Sequence, residues 1–437
     1  MHALVEVDGS PRPEQAIERA AERLAGQLAG SPADGPAGAR PSGAAPGCDL
    51  ALLFATSSHG ALERDAAEAL GRALGAREVA AAQVGGLLAP GHERVGLPGV
   101  GIVALRGGSR VHAVDDARGR EAEVGEELAH ALGPFDAAGR DALLVVACAG
   151  ELDARALVRG LAACAPARVL GAGVEGPGGG AATIVANGER VRGGVLGVRV
   201  RGGAPPAVEL APGVRLGPPL RVGRASGHWV HELEGASALE ELRDAAGALW
   251  DDERRALRSV LVALPPPPCA DAACASHAAQ AGSALEAAPH PAHVRAIVGI
   301  DAAAGAIALP EPVREGSLLA FAHRDALAAR DALSAAAERL REAPRAAPAA
   351  LGLALSCARR GTALFGEDGL EAAYLARAFG AAPWLGLVGA WQVGPAPCGG
   401  AGPAAAALHP SLMTHTGVLA ALGGAEPDPL QPDGGPW

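Results

Sequence analysis

Cys357 and Arg359 stand two residues apart in LGLALSCARRGTALFG (351–366), near the C-terminus. On an extended segment that spacing points both side chains to one side. A guanidinium there favours the thiolate and would serve a nucleophile or an anion site. Gly361 follows. APWLGLVGAWQVGP (382–395) then brings Gly386, Trp391, Gln392 and Gly394, and THTGVL (414–419) brings His415. Arg359 suits an anionic group, Gln392 a neutral hydrogen bond, and the glycines a close backbone approach. A purely structural role competes at each position. The thiol would be buried, the arginine paired with a carboxylate, and His415 hydrogen-bonded on a strand, opposite its Thr neighbours.

Other patterns carry less chemistry. GAGVEG (171–176) matches G-x-G-x-x-G, but Pro177-Gly178-Gly179-Gly180 and the β-rich ATIV follow, leaving no helix to receive a pyrophosphate. Cys269, Cys274, His277, His290 and His293 crowd a Pro/Ala-rich segment, yet their spacing is not that of a zinc finger. Thr56-Ser57-Ser58-His59 ends an apolar run and would line a pocket mouth or cap a helix. No paired carboxylates and no H-E-x-x-H are present, which leans away from an enzyme.

The elements that must position these groups alternate between strands and helices. A helix is expected over 11–29, a flexible Gly/Pro/Ala linker over 30–47, and strands at 49–56, 78–84, 100–107 and 141–150, with helices at 60–75, 121–132 and 153–164 between and after them. Asn187-Gly188 marks a hairpin within 182–202, and 220–235 reads as another β pair. Ser237 and Glu240 form a capping box for one long helix whose apolar stripe runs to Leu261. A Pro/Ala-rich insertion (265–292), a hairpin (294–309), a strand (317–325), a helix (326–342) and a frayed tail (421–437) complete the chain. Interleaved hairpins predict mixed sheets and an α/β (α+β) fold in two halves, 48–235 and 236–420, flanked by helices. No short-period repeat is visible.

Composition bounds the function. The chain has 437 residues, 37 basic against 48 acidic, and a formal net charge of −11. That balance disfavours nucleic acid or an anionic membrane as partner. Lysine is absent, which excludes Schiff-base and P-loop lysine chemistry. Seven cysteines fit reduced, buried thiols better than a disulfide framework. The N-terminus has no signal-peptide pattern and no apolar run suits a membrane span, so a cytoplasmic location is expected.

C-x-R-x-G (357–361), G-L-x-x-x-x-Q-x-G-P (386–395) and THTGVL (414–419), in this order, resemble the C-terminal half of the FIST family (F-box and intracellular signal transduction). DLALLFAT, VGGLLAPGHERVGLPGVGIVAL, LGAGVEGPGGG and HWVHELEGASALEEL resemble its N-terminal half, and together the likeness spans about 48–420. Trp391 and Gln392 stand where the family carries Gly and Glu. The resemblance implies a non-catalytic sensory module that binds a small ligand, amino-acid-like or haem, and passes a signal to a separate effector protein. A haem would need one of His59, His92, His323 or His415 as axial ligand. An adaptor recruiting a protein partner and a Cys357-dependent enzyme are the alternatives.

Overall fold

The computed structural model describes residues 1–30, 47–59, 62, 64–165, 168–265, 289–343, 348–396 and 409–423. Residues 31–46 of the expected linker, Cys269, Cys274, His277 and Cys398, and residues 424–437 of the expected tail lie outside the described residues.

Three six-stranded sheets stand around one shared apolar core. Each is built on a parallel pair: Cys48–Thr56 with Ala76–Val84, Asp141–Cys148 with Arg168–Val174, and Ala349–Cys357 with Trp384–Gly389. An antiparallel return strand (Val100–Arg106, Val195–Arg201, Thr416–Gly423) lies against the first member of each pair. An edge strand (His2–Asp8, Arg110–Val114, Ala207–Pro212) lies against each return strand. The remaining two places in each sheet are filled by a hairpin from another sheet's segment. Gly86–Ala89 with His92–Val95 joins the third sheet, Ile184–Ala186 with Glu189–Val191 the first, and Trp391–Pro395 with Pro410–Met413 the second.

The order edge strand, parallel pair, hairpin, return strand therefore recurs three times along the chain, and the hairpins pass round the three sheets in a ring. Traces of the repeat are visible in the sequence once the structure aligns it. Glu93-Arg94-Val95 and Glu189-Arg190-Val191 occupy the same place in successive hairpins. Gly99-Val100, Gly194-Val195 and Gly417-Val418 open the return strands.

Each sheet buries both faces, which is why its central strands read as nearly unbroken apolar runs; all eight residues of DALLVVAC are buried. Inward side chains such as Leu52, Leu144 and Leu353 form the shared core. Outward side chains pack under helix pairs: Pro13–Gly30 and Arg64–Leu74 on the first sheet, Glu121–Leu132 and Ala154–Cys164 on the second, and Ala326–Glu342 and Leu370–Phe379 on the third. Asp153 and Asp325 cap two of these, accepting from Ala156 N at 3.2 Å and Ala328 N at 2.8 Å.

A fourth sheet, between residues 214 and 324, is inserted in the third repeat ahead of the Ala326–Glu342 helix. Here the expected long helix is broken. Ser237 caps it as anticipated, accepting from Glu240 N at 3.4 Å, but it ends at Ala246. Gly247 takes φ 53°, a conformation that stops a right-handed helix. A second helix covers Glu253–Ser259, and Leu261 lies in the strand Val260–Ala263. The apolar stripe was continuous in sequence, but Leu261 belongs to a period-2 strand. Two strands were also unanticipated at the ends: His2–Asp8 precedes the first helix, and 421–423 complete a strand of the third sheet.

Candidate functional site

The Ala349–Cys357 and Trp384–Gly389 strands end together at one edge of the third sheet. Carboxyl ends of parallel strands are where α/β sheets leave room for ligands. The chain does not stay extended past Cys357. Ala358 N donates to Gly389 O at 2.8 Å, Arg360 N donates to Cys357 O at 2.9 Å, and Gly361 takes φ 61°. Cys357 and Arg359 are consequently not on one extended face: the thiol is 2% exposed while Arg359 is exposed. Arg360 turns inward instead.

Arg360 Nε meets Glu371 Oε1 at 2.9 Å, with the two side chains 1% and 4% exposed. Its Nη1 donates to Ala211 O at 2.9 Å, and its guanidinium lies 5.4 Å from the Phe365 ring centre. Ser356 Oγ donates to Glu371 Oε2 at 2.9 Å. Gln392, fully buried, donates through Nε2 to Ser356 O at 3.0 Å and to Gly389 O at 3.1 Å. One continuous polar network thus links Gln392, Ser356, Glu371 and Arg360. Glu371 sits in the first turn of its helix, where the free backbone amides favour a carboxylate.

Around this network, polar atoms are left unsatisfied. Both carboxylate oxygens of Glu93, Arg360 Nη2, Gln392 Oε1 and His415 Nδ1 are buried without a hydrogen-bond partner. Each such atom costs about 1–3 kcal/mol in a folded protein. Glu93 comes from the hairpin that the first repeat lends to the third sheet. A methyl group on Gly361 would stand 3.1 Å from Glu93 Oε1, so glycine leaves that carboxylate room. Burial and then the neighbouring Glu371 push the Glu93 carboxyl above its ordinary range; the amides of Ala372 and Gly369 are near enough to oppose this but do not meet hydrogen-bond geometry.

His415 is not on a strand opposite its Thr neighbours. It takes φ 56° in the turn between Pro410–Met413 and Thr416–Gly423, and its carbonyl accepts from Gly213 N at 2.8 Å. Burial, then Arg324, Arg359 and Arg360, push its pKa from 6.5 down to about 4. The folded state holds this imidazole neutral while the unfolded chain protonates it near 6.5. Stability from this group is therefore complete above pH 6.5 and is lost as pH falls towards 4. His293, also driven to about 4, adds in the same sense, and Glu93 opposes them. The melting temperature should fall between pH 7 and pH 4, and His415→Asn should flatten part of that slope. An unchanged slope in the variant would show that His415 is not held neutral.

The remaining expected residues are placed apart. Trp391 and Gln392 are neighbours on one strand and face opposite ways. Trp391 packs under the helices of the second sheet, against Gly173, where a Cβ would lie 2.1 Å from its ring. Gly386 gives room to Leu88, and Gly394 to Val418, at 2.7 and 3.1 Å from a notional Cβ. These glycines serve packing. Trp391 accounts for the GAGVEG glycine as well: Gly173 accommodates the indole. Thr56 accepts from Gly99 N at 3.0 Å, and Ser57–His59 form a short 3-10 turn. Among the described residues no side-chain base is hydrogen-bonded to Cys357, and no cluster could hold a metal ion.

Sequence reasoning missed Arg360, Ser356, Glu371 and Glu93. The doubled Arg359-Arg360 held the signal, but choosing between them required the turn after Cys357. Of the histidines weighed for haem, His323 lines a cleft of about 370 Å³ floored by Leu216, Leu220 and Phe321. Arg215, Glu241 and Asp244 line the same cleft, so its charge is mixed and nothing in it selects haem.

Residues 49–236 match the FIST N domain and residues 255–390 the FIST C domain. An uncharacterized protein of Mycobacterium bovis is 32% identical over 212 residues, 46% of this chain and 49% of the relative. An uncharacterized protein of Mycobacterium tuberculosis is 29% identical over 204 residues, again 46% and 49%. The chain spans about half the length of the curated relatives it matches. Among the described residues no helix is long and apolar enough to cross a membrane.

Proposed function

The chain belongs to the FIST family, which is associated with signal transduction and small-ligand sensing and is not a known enzyme family; from that premise we propose that it is a non-catalytic sensory module with its ligand site at the ends of the Ala349–Cys357 and Trp384–Gly389 strands. Three repeats offer three such strand ends, closing on Thr56, Cys148 and Cys357. The observation that carries the reading is an asymmetry among them. Of the ion pairs between described residues, Arg360–Glu371 alone has both side chains below five per cent exposure, and it lies at the third end, ringed by unpartnered polar atoms.

A small polar ligand would complete those atoms. Glu93 and Gln392 Oε1 would accept from its donor end, and Arg360 Nη2, with Arg359 at the rim, would meet an anionic end. An amino-acid-like molecule has that polarity. The signal would pass to a separate effector protein. Of the residues expected from sequence, Cys357, Gly361, Gln392 and His415 stay at this site with Arg359, whereas Gly386, Trp391 and Gly394 shape the sheet behind it.

Native mass spectrometry of freshly purified protein, beside its denatured mass, tests the reading. A reproducible added mass that disappears in Glu93→Gln and Gln392→Leu is expected. A protein of bare chain mass that no added amino acid or organic acid protects against heating would refute it and favour an adaptor.

A further inference from the structure

The anionic end of the proposed site carries more positive charge than one carboxylate would balance. Three guanidiniums from two elements act on His415. Arg324 lies near the end of the Leu318–Arg324 strand, and Arg359 and Arg360 are in the turn after Cys357. Glu371 neutralises Arg360 at 2.9 Å. Arg324 and Arg359 have no carboxylate within ion-pair distance among the described residues. Instead Arg324 Nη2 donates to the carbonyl of Arg359, which ties the two together. They stand close enough that Arg359 lowers the pKa of Arg324, second only to burial. The charges that act most on Glu93 are Glu371 and Asp368, not these two guanidiniums.

We infer that the site takes its ligand by a compact, doubly negative head group, held by Arg324, Arg359, Arg360 Nη2 and His415 Nδ1. This rests on the ligand-site reading above and names the ligand class for it. Two like charges gathered beside a buried, unpartnered guanidinium nitrogen are costly in the empty protein, and a dianion relieves both costs at once. The planar forks of arginine suit either a phosphate or a pair of carboxylates. A simple zwitterion brings only one negative charge, leaving one guanidinium uncompensated.

Calorimetric titration of the full chain with inorganic phosphate, succinate and glycine decides the matter. At least one of the two dianions should bind about tenfold or more tighter than glycine, with an affinity that falls as salt is added. Phosphate and succinate are separate arms, and the tighter one identifies the head group. Arg359→Gln, at an exposed position, should weaken that dianion about tenfold while leaving the free protein at least as stable as the parent; Arg324→Gln should weaken it too. Glycine binding as tightly as both dianions would overturn the inference and leave the ligand-site reading standing. Dianion binding indifferent to both arginine variants would also overturn it. Binding of none of the three at millimolar concentration would overturn it as well, and the native mass would then decide the ligand-site reading independently.

Discussion

Glu371→Ala should cost about 3–5 kcal/mol of folding stability, the usual penalty for stripping a buried charge of its partner. The loss is large because Glu371 holds two groups: Arg360 Nε at 2.9 Å and Ser356 Oγ at 2.9 Å. Arg360 would keep its bond to Ala211 O but carry an unbalanced charge at 1% exposure. Arg360→Ala should cost a comparable amount by leaving Glu371 unpaired. The double variant Arg360→Met/Glu371→Leu should be milder than either single change, because apolar groups of similar volume remove both desolvation costs together. Urea unfolding of the four proteins ranks them. Single variants within about 1 kcal/mol of the parent would show that the pair is solvated and not buried.

Gly160→Ala should destabilise by about 1–3 kcal/mol, even though alanine is the better helix former by about 1 kcal/mol. The Ala154–Cys164 helix crosses Glu121–Leu132 at this glycine, where a Cβ would stand 1.9 Å from Ala122 O. Gly125 makes the reciprocal approach, with a notional Cβ 2.6 Å from Leu157 O. Both obstacles are backbone, so no rotamer change relieves them and the helices must part. Gly26→Ala in the Pro13–Gly30 helix is the control. Nothing lies within 4 Å of its notional Cβ, so the propensity gain should appear alone, as about 0.5–1 kcal/mol of added stability. Equal signs for the two variants would contradict the close helix crossing.

Much of the fold was legible in the sequence because local signals and burial agreed. The helices Glu121–Leu132 and Ala326–Glu342 occupy the expected residues, and Asn187-Gly188 turns the expected hairpin. What the sequence could not show is pairing partners. A strand's apolar face says that it is covered and is silent about what covers it, so a hairpin lent to another sheet looks like any other hairpin. The threefold repeat was hidden for a related reason: the fourth sheet interrupts its third copy, and only short pieces such as Glu-Arg-Val are shared between copies. Around the proposed site, Cys357, Gln392 and His415 were singled out by residue type. Arg360 and Glu371 were not, because their partnership depends on a turn at Gly361 and a helix start at Gly369, each at positive φ.

The ring of exchanged hairpins bears on how such a chain can be inherited. Each repeat lends two strands and borrows two, so none is a complete hereditary unit. Losing one hairpin would leave the edge of a different repeat's sheet open. Recombination between the two matched domains would separate Gly86–Ala89 and His92–Val95 from the third sheet, and Trp391–Pro395 and Pro410–Met413 from the second. FIST N and FIST C in this chain are therefore interlocked through the exchanged hairpins, whereas the fourth sheet enters at a single point of the third repeat.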